Sequence, residues 1–296
     1  MIIDSTTLSA FLRCARYTFF RFRKHWQLDT PNIHLEFGIA WHEAKEHLLI
    51  HNDDVEGAFE KFMEHYSKFY TPQQYEANSP KTPANALDAL ASYADKLKTI
   101  ERKVLFTEVA GIAPLAEDCD IAFKIDAVVE DSQGIWAIDH KTGSRLTQAW
   151  TDGWVTSPQL AIYTHVLNHF FGESRVAGAR VEGTIFRKHD HEHLEVPVRK
   201  SAASFGALFW SILHNVDLIK WNIEQESNSQ PDDEILTAWP MNPNSCFDFG
   251  RKCPYWDFCT TWSNPLGRQC PAGFRVEEWN PLSVLEGRQQ LERTSV

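Results

Sequence analysis

The chain has no stretch of about 18 uncharged apolar residues, so no transmembrane span is expected. Its first fourteen residues, Met1 to Cys14, carry Asp4 with Ser and Thr where a secretion signal has basic residues before an apolar run. It is therefore expected in a reducing cytoplasm, prokaryotic or that of a virus's host. There its six cysteines would be metal ligands or free thiols rather than disulfides. A G-xxxx-G-K-[ST] phosphate loop is missing, as are a Gly-rich dinucleotide fingerprint and an H-E-x-x-H zinc-protease helix, so neither an ATP-driven motor nor a nucleotide cofactor is expected. Internal repeats, low-complexity tracts and Gly/Ser linkers are also missing, and residues 1–296 are expected to form one unit. Positive charge is scarce. The 29 Lys and Arg face 40 Asp and Glu for a net −11, which argues against a general nucleic-acid coat or an anionic-membrane binder.

What is present is a core. Hydrophobic residues make up 43% of the chain and charged residues 23%, the balance of a folded protein. The first 28 residues run against the overall sign: Arg13, Arg16, Arg21, Arg23 and Lys24 face only Asp4, a net +4 that leaves −15 for the rest. Tyr17, Phe19, Phe20, Phe22 and Trp26 alternate with those cations. This mixture suits phosphates and stacked bases, and equally an amphipathic helix with one core face.

Periodicity divides the chain into helices, then strands, then helices. Helices are expected from Ser5 or Thr6 to about Phe22, over Glu36–His51, Val55–Phe69 and Ala84–Arg102. Strands are expected at Val104–Ile112, Asp120–Val129 and Gly134–Asp139, with Asp131–Gly134 as the turn of a hairpin. A helix over Pro158–Phe171, strands at Val176–Arg187 and Glu192–Pro197, and a long helix at Ala202–Glu224 follow. The last 60 residues show little period and many Pro, Gly, Asn, Trp and Cys, so they need a staple. The pattern reads as an α/β or α+β core with a separately stapled C-terminal cap.

Asp126 and Asp139 fall at the ends of the two hairpin strands, where pairing brings both carboxylates to one edge of the sheet. Two carboxylates are what a hard divalent cation such as Mg²⁺ or Mn²⁺ requires, and His42 offers a third ligand. Lys141 shares a strand face with Asp139, where its ammonium can orient water and offset charge developing on a phosphate. Without a cation, two such close carboxylates force one pKa upward.

The ordered series Gly38-xxx-His42, Phe123-Lys124-Ile125-Asp126, Ile138-Asp139-His140-Lys141 and Gln159-xxx-Tyr163 resembles the PD-(D/E)XK nuclease superfamily, in its RecB-like branch. The resemblance implies a restriction-endonuclease-like core of about residues 30–225, with a mixed central sheet flanked by helices. It implies that His42, Asp126, Asp139 and the His140 carbonyl hold the metal, that Lys141 is catalytic, and that Gln159 and Tyr163 face the site and the nucleic acid. Glu108 stands where a strand acid is often found. Phe123-Lys124 replaces the Gly-Arg that commonly precedes the aspartate, keeping the positive charge.

Cys246, Cys253 and Cys259 are separated by six and five residues, spacings that fit a zinc ribbon poorly. A 4Fe–4S cluster takes four thiolates and tolerates a remote ligand. Cys14 or Cys270 completes the set; Cys119 and Cys270 both read equally as small apolar residues, and all six could be unliganded thiols. The segment resembles the iron–sulfur subset of RecB-like nucleases, which favours Cys14 and implies a cap formed by residues 1–28 with 240–275. The combined expectation is a metal-dependent DNA exonuclease acting on single strands or single-stranded ends in recombination, repair or processing, with Arg13 and Arg16 on the DNA. A protein partner such as a helicase, recombination or CRISPR-type complex fits the acidic surface. Two other classes stay open: a catalytically silent nucleic-acid-binding subunit of the same fold, and an iron–sulfur redox or sensor protein.

Overall fold

A computed structural model describes residues 1–291. In chain order the elements begin with β1 (Ile2–Asp4), α1 (Ser5–Arg13), α2 (Ala15–Thr18), β2 (Trp26–Leu28), α3 (Ile33–Ile50), α4 (Val55–Tyr66) and α5 (Pro83–Leu97). Strands β3 (Lys103–Ala116), β4 (Cys119–Asp131) and β5 (Gly134–Gly143) follow, then α6 (Gln148–Asp152), α7 (Pro158–Phe171), β6 (Val176–Phe186) and β7 (His191–Val198). Helices α8 (Ala202–Asn228) and α9 (Trp256–Thr261) and strand β8 (Phe274–Val276) complete the set. Backbone contacts divide the chain into two compact units.

One unit holds Pro31–Ala113, Phe123–Phe205 and the segment from Val284, and it is an α/β layer structure with a mixed sheet. Here β4 and β5 run antiparallel with Ala127 opposite Ile138, β5 and β6 run parallel, β6 and β7 antiparallel, and β3 pairs with β4. The parallel pair needs a crossover, which α6 and α7 provide. The hairpin turn closes as expected: the Asp131 carboxylate accepts from the Gln133 N–H at 2.8 Å, and Gly134 sits at φ +125. A side chain at Gly134 would lie 2.6 Å from the Arg175 carbonyl, so the turn requires glycine.

Asn32 caps α3 by accepting from the His34 N–H, and Ser157 caps α7 with Pro158 in its first turn. Along α3, Phe37, Ala40, Trp41, Ala44 and Leu48 are buried at helical spacing. They meet Phe62, Tyr66 and Tyr93 of α4 and α5 and Phe186 of β6, whose ring lies 4.9 Å from that of Phe37 and edge-on. That stripe orients α3 so that the residues beside it, His42 and Lys45, are carried to fixed places.

At the outer sheet edge, Ser92 Oγ of α5 lies 2.6 Å from His191 Nε2 and 2.9 Å from His193 Nε2. Burial, with Lys45 and His191 adding to it, lowers the His193 pKa to about 3. The unfolded chain then binds a proton that the folded chain refuses, so stability is lost as pH falls below the ordinary histidine value of about 6.5. Urea titrations across pH 4–6 should show a loss of up to about 1.4 kcal/mol per pH unit from this group. His193→Gln should flatten that slope, and an unchanged slope would contradict the assignment.

The other unit comprises Met1–Thr30, Pro114–Ala122 and Gly206–Ser283. In it β1 pairs in parallel with Asp120–Ala122, and β2 pairs antiparallel with β8. The single helix expected up to Phe22 is interrupted: the backbone turns extended at Cys14 (φ −165, ψ 117) and helical turns resume at Ala15. Strands β1 and β2 were not foreseen, being three residues each and too short to show a period. The irregular tail gains its order from rings. Phe20 stacks on Trp26 at 5.4 Å and on Tyr255 at 5.2 Å, with Phe258, Trp262 and Phe274 around them. The N-terminal aromatics Phe19, Phe20 and Trp26 are therefore core residues of this unit and offer no stacking surface to a base. Helix α8 is long and apolar enough by length and composition to cross a membrane, although Asp217 and Lys220 interrupt its uncharged run and Ile212, Val216 and Ile219 are buried.

Candidate active site

Three elements of the sheet-bearing unit converge on one point. Strand β4 brings Asp126, β5 brings Asp139 and Lys141 on one face, and α3 brings His42. The pairing of Ala127 with Ile138 sets the two carboxylates one step further along the same hairpin. His42 Nδ1 lies 3.3 Å from one Asp126 oxygen, and the other accepts the His140 backbone N–H at 2.7 Å. Lys141 Nζ donates to Asp139 Oδ1 at 2.8 Å and to Gln159 Oε1 at 3.3 Å, and Gln159 Nε2 donates to the Tyr163 hydroxyl at 2.8 Å. The i, i+4 spacing of Gln159 and Tyr163 on α7 makes that last contact possible. Tyr163 is buried, so in this arrangement it holds Gln159 and, through it, Lys141.

Electrostatics separate the two carboxylates. Burial would raise Asp126, but His42, with Lys124, outweighs it and holds the group below the ordinary carboxylate range. Burial raises Asp139; Lys141 opposes this and the neighbouring Asp126 adds to it. Desolvation also works against the Lys141 charge, yet Asp139 and Asp126 prevail and keep its pKa above the usual lysine value. The split follows from burial, which the basic neighbours of Asp126 overcome and which at Asp139 prevails, with the Asp126 charge adding to the rise.

The donor set fits a hard divalent cation. Asp139 Oδ2 is buried without a hydrogen-bond partner, an open acceptor in an enclosed acidic place. Single donor atoms of His42, Glu108 and Asp126 lie within 4.8 Å of one another. Glu108 enters this group through an unusual backbone: its φ is +45 inside β3, a conformation that costs an L-residue about 1–2 kcal/mol. The burial alternation of β3 breaks there, with Val109 and Ala110 both buried. His42 and Glu108 also line a cavity of about 490 Å³.

His140 turns its ring away from this point. Lys45 Nζ lies 2.9 Å from His140 Nδ1 and donates to Glu182 at 3.1 Å, while Tyr93 Oη donates to Glu182 at 2.8 Å and Arg102 pairs with it. Burial, with Lys45 opposite, keeps the His140 ring neutral; burial also lowers Lys45 to about 8 against the pull of Glu182. Sequence reasoning missed this group. Its one signal was a glutamate inside Arg180-Val181-Glu182, a run that otherwise reads as a buried central strand.

The cysteines belong to the other unit. Cys14, Cys246, Cys253 and Cys259 line one cleft together with Arg13, Tyr17 and Tyr255, and Cys270 is not among its lining residues. The Asn242 N–H donates to Cys14 Sγ at 3.4 Å, and the Asn242 side chain donates to the Arg13 carbonyl at 2.8 Å. Burial pushes the Cys259 thiol up to about 12; Arg16 counters this, and the neighbouring Cys14, Cys253 and Cys246 add to it. Neighbouring thiols cannot ionise together unless a cationic group joins them, and among the described residues no three of these sulfurs lie within 4.8 Å of one another. Of the two arginines expected on DNA, Arg13 pairs with Asp248 at 2.9 Å. Arg16 is corrected: it is 5% exposed and donates to the Trp239 and Leu236 carbonyls, so it is a buried structural residue of this unit rather than a surface cation for DNA.

Among curated proteins none matches the chain. A solved structure titled "Crystal structure of SSO0001" is similar at 13% identity and a TM-score of 0.31, over 72% of this chain and 75% of that one. A family model described as the PD-(D/E)XK nuclease superfamily matches residues 5–260, a span that contains His42, Glu108, Asp126, Asp139 and Lys141. With that match over most of its length and this geometry at the sheet edge, the chain belongs to the PD-(D/E)XK nuclease superfamily.

Proposed function

We propose that this chain is a metal-dependent deoxyribonuclease of the RecB-like branch, an exonuclease that hydrolyses single strands or single-stranded ends in the cytoplasm. The observation that carries the reading is the unpartnered, buried Asp139 Oδ2 beside Lys141, on the strand paired with that of Asp126, whose donor atom groups with those of His42 and Glu108. These residues would hold Mg²⁺ or Mn²⁺, which supplies Lewis-acid charge to a phosphodiester and to the water that attacks it. Asp126 is held ready by the His140 N–H and His42. Lys141, steadied by Asp139 and Gln159, keeps its proton and presents Nζ–H donors where an attacking water or a phosphoryl oxygen would lie. Digesting end-labelled linear and circular DNA with Mn²⁺ or EDTA tests the reading.

The cysteine cleft supports a 4Fe–4S cluster on Cys14, Cys246, Cys253 and Cys259, with a structural role of tying the interrupted first helix to the tail. Anaerobically purified Cys14→Ala should lose its iron, sulfide and visible absorbance, while Cys270→Ala keeps them. Retention in Cys14→Ala, or zinc in place of iron, would overturn the assignment.

A further inference from the structure

The segment of residues 284–291 lines the cavity beside the metal donors through Glu286, Gly287, Arg288 and Gln289. It is tied to β3 by two backbone bonds, Ala110 N–H to the Gln289 carbonyl at 3.0 Å and Leu291 N–H to the Ala110 carbonyl at 3.1 Å, and Leu291 is buried. This anchoring sets Arg288 over the site: Nε lies 3.5 Å from Glu108 Oε2, and Nη1 donates to the Val284 carbonyl at 3.1 Å. Lys124 of β4 pairs with the same Glu108 oxygen. One carboxylate thus faces two cations, while its other neighbours, His42 and Asp126, are metal donors.

We propose that Arg288, with Lys124, forms a phosphate-binding subsite for the nucleic-acid strand next to the metal centre, so that the C-terminal segment is part of the substrate-binding surface. The inference rests on the nuclease reading above. Glu108 is one negative charge, and a divalent cation that takes it as a ligand repels both side chains from it. Each is then left with its positive head in the cavity, within reach of an anion held by the same cation. The guanidinium fork of Arg288 matches two phosphate oxygens, and Lys124 adds a point charge. The rest of the wall fixes where the anion can sit. Glu43, Glu46 and Glu286 also line the cavity and repel a phosphate, so an anion is held there only where the bound cation and the two basic side chains outweigh them.

The test uses full-length Lys141→Ala protein, to prevent cleavage, with Mn²⁺ and a fluorescein-labelled single-stranded oligonucleotide, reading Kd by fluorescence polarisation over a salt series. Adding Arg288→Ala should weaken binding about tenfold and lower the slope of log K against log salt by about 0.7, the loss of one phosphate contact. Arg288→Lys should keep the slope and lose part of the affinity, because it keeps the charge but not the fork. Glu286→Gln should tighten binding. An Arg288→Ala protein with unchanged Kd and slope would overturn the subsite, as would tighter binding, which would make the segment an obstruction. Failure of the Lys141→Ala parent itself to bind DNA would instead overturn the nuclease reading on which the subsite depends.

Discussion

Lys141→Ala protein should cleave DNA about a hundredfold to a thousandfold more slowly than wild type under saturating Mn²⁺. The expectation follows from where Nζ sits. It is the cation directly hydrogen-bonded to Asp139, it is steered by Gln159, and both carboxylates hold it protonated. Its removal takes away a donor that acts as charge develops on the phosphoryl oxygens, while Asp126, His42 and Glu108 remain to bind metal. Single-turnover rates with prebound DNA would therefore fall while the metal affinity measured by calorimetry stays within a few fold. Gln159→Ala should show a smaller rate loss of the same kind, because Lys141 then keeps one of its two anchors. A Lys141→Ala protein at wild-type rate would remove the lysine from the chemistry.

Glu182→Ala should be the most destabilising single substitution in the sheet-bearing unit, by about 3–5 kcal/mol. Glu182 is 3% exposed and accepts from Lys45 and Tyr93 while pairing with Arg102. Truncation leaves two buried cations facing each other and the neutral His140 ring, with no anion among them. The loss corresponds to a fall of roughly 10 °C in Tm. Glu130→Ala is the contrast: its pair with Arg175 is well exposed on both sides, and its loss should stay near zero. Lys45 also positions His140, whose backbone N–H holds Asp126, so this buried network links the core of the sheet to the metal donors.

His42, Asp126, Asp139 and Lys141 were legible in the sequence because each lies in a regular element whose period fixes its direction. Two strands joined by a tight turn bring their ends together, and an apolar stripe orients α3. The residues that were not legible act where regularity stops. Glu108 was named through the family resemblance alone; the left-handed backbone inside β3 that carries it to the site is announced by no alternation pattern. Lys45 and Glu182 are separated by 137 positions and meet only once the helix packs on the sheet. Arg16 shows the opposite error: among basic residues it looked like a phosphate contact, yet the break at Cys14 begins a new helical turn whose inner side is the core. Arg288 lay in a tail without periodicity, and its place came from two backbone bonds to Ala110.

The most direct test of the central claim is digestion of linear and circular, single- and double-stranded DNA, labelled at either end, by wild-type and Asp139→Ala protein in Mn²⁺ or EDTA. Loss of linear single strands in Mn²⁺ by wild type alone is the expected result, with circles spared and EDTA protecting. Cleavage by Asp139→Ala at the wild-type rate, or no cleavage of any substrate by metal-loaded wild type, would contradict it.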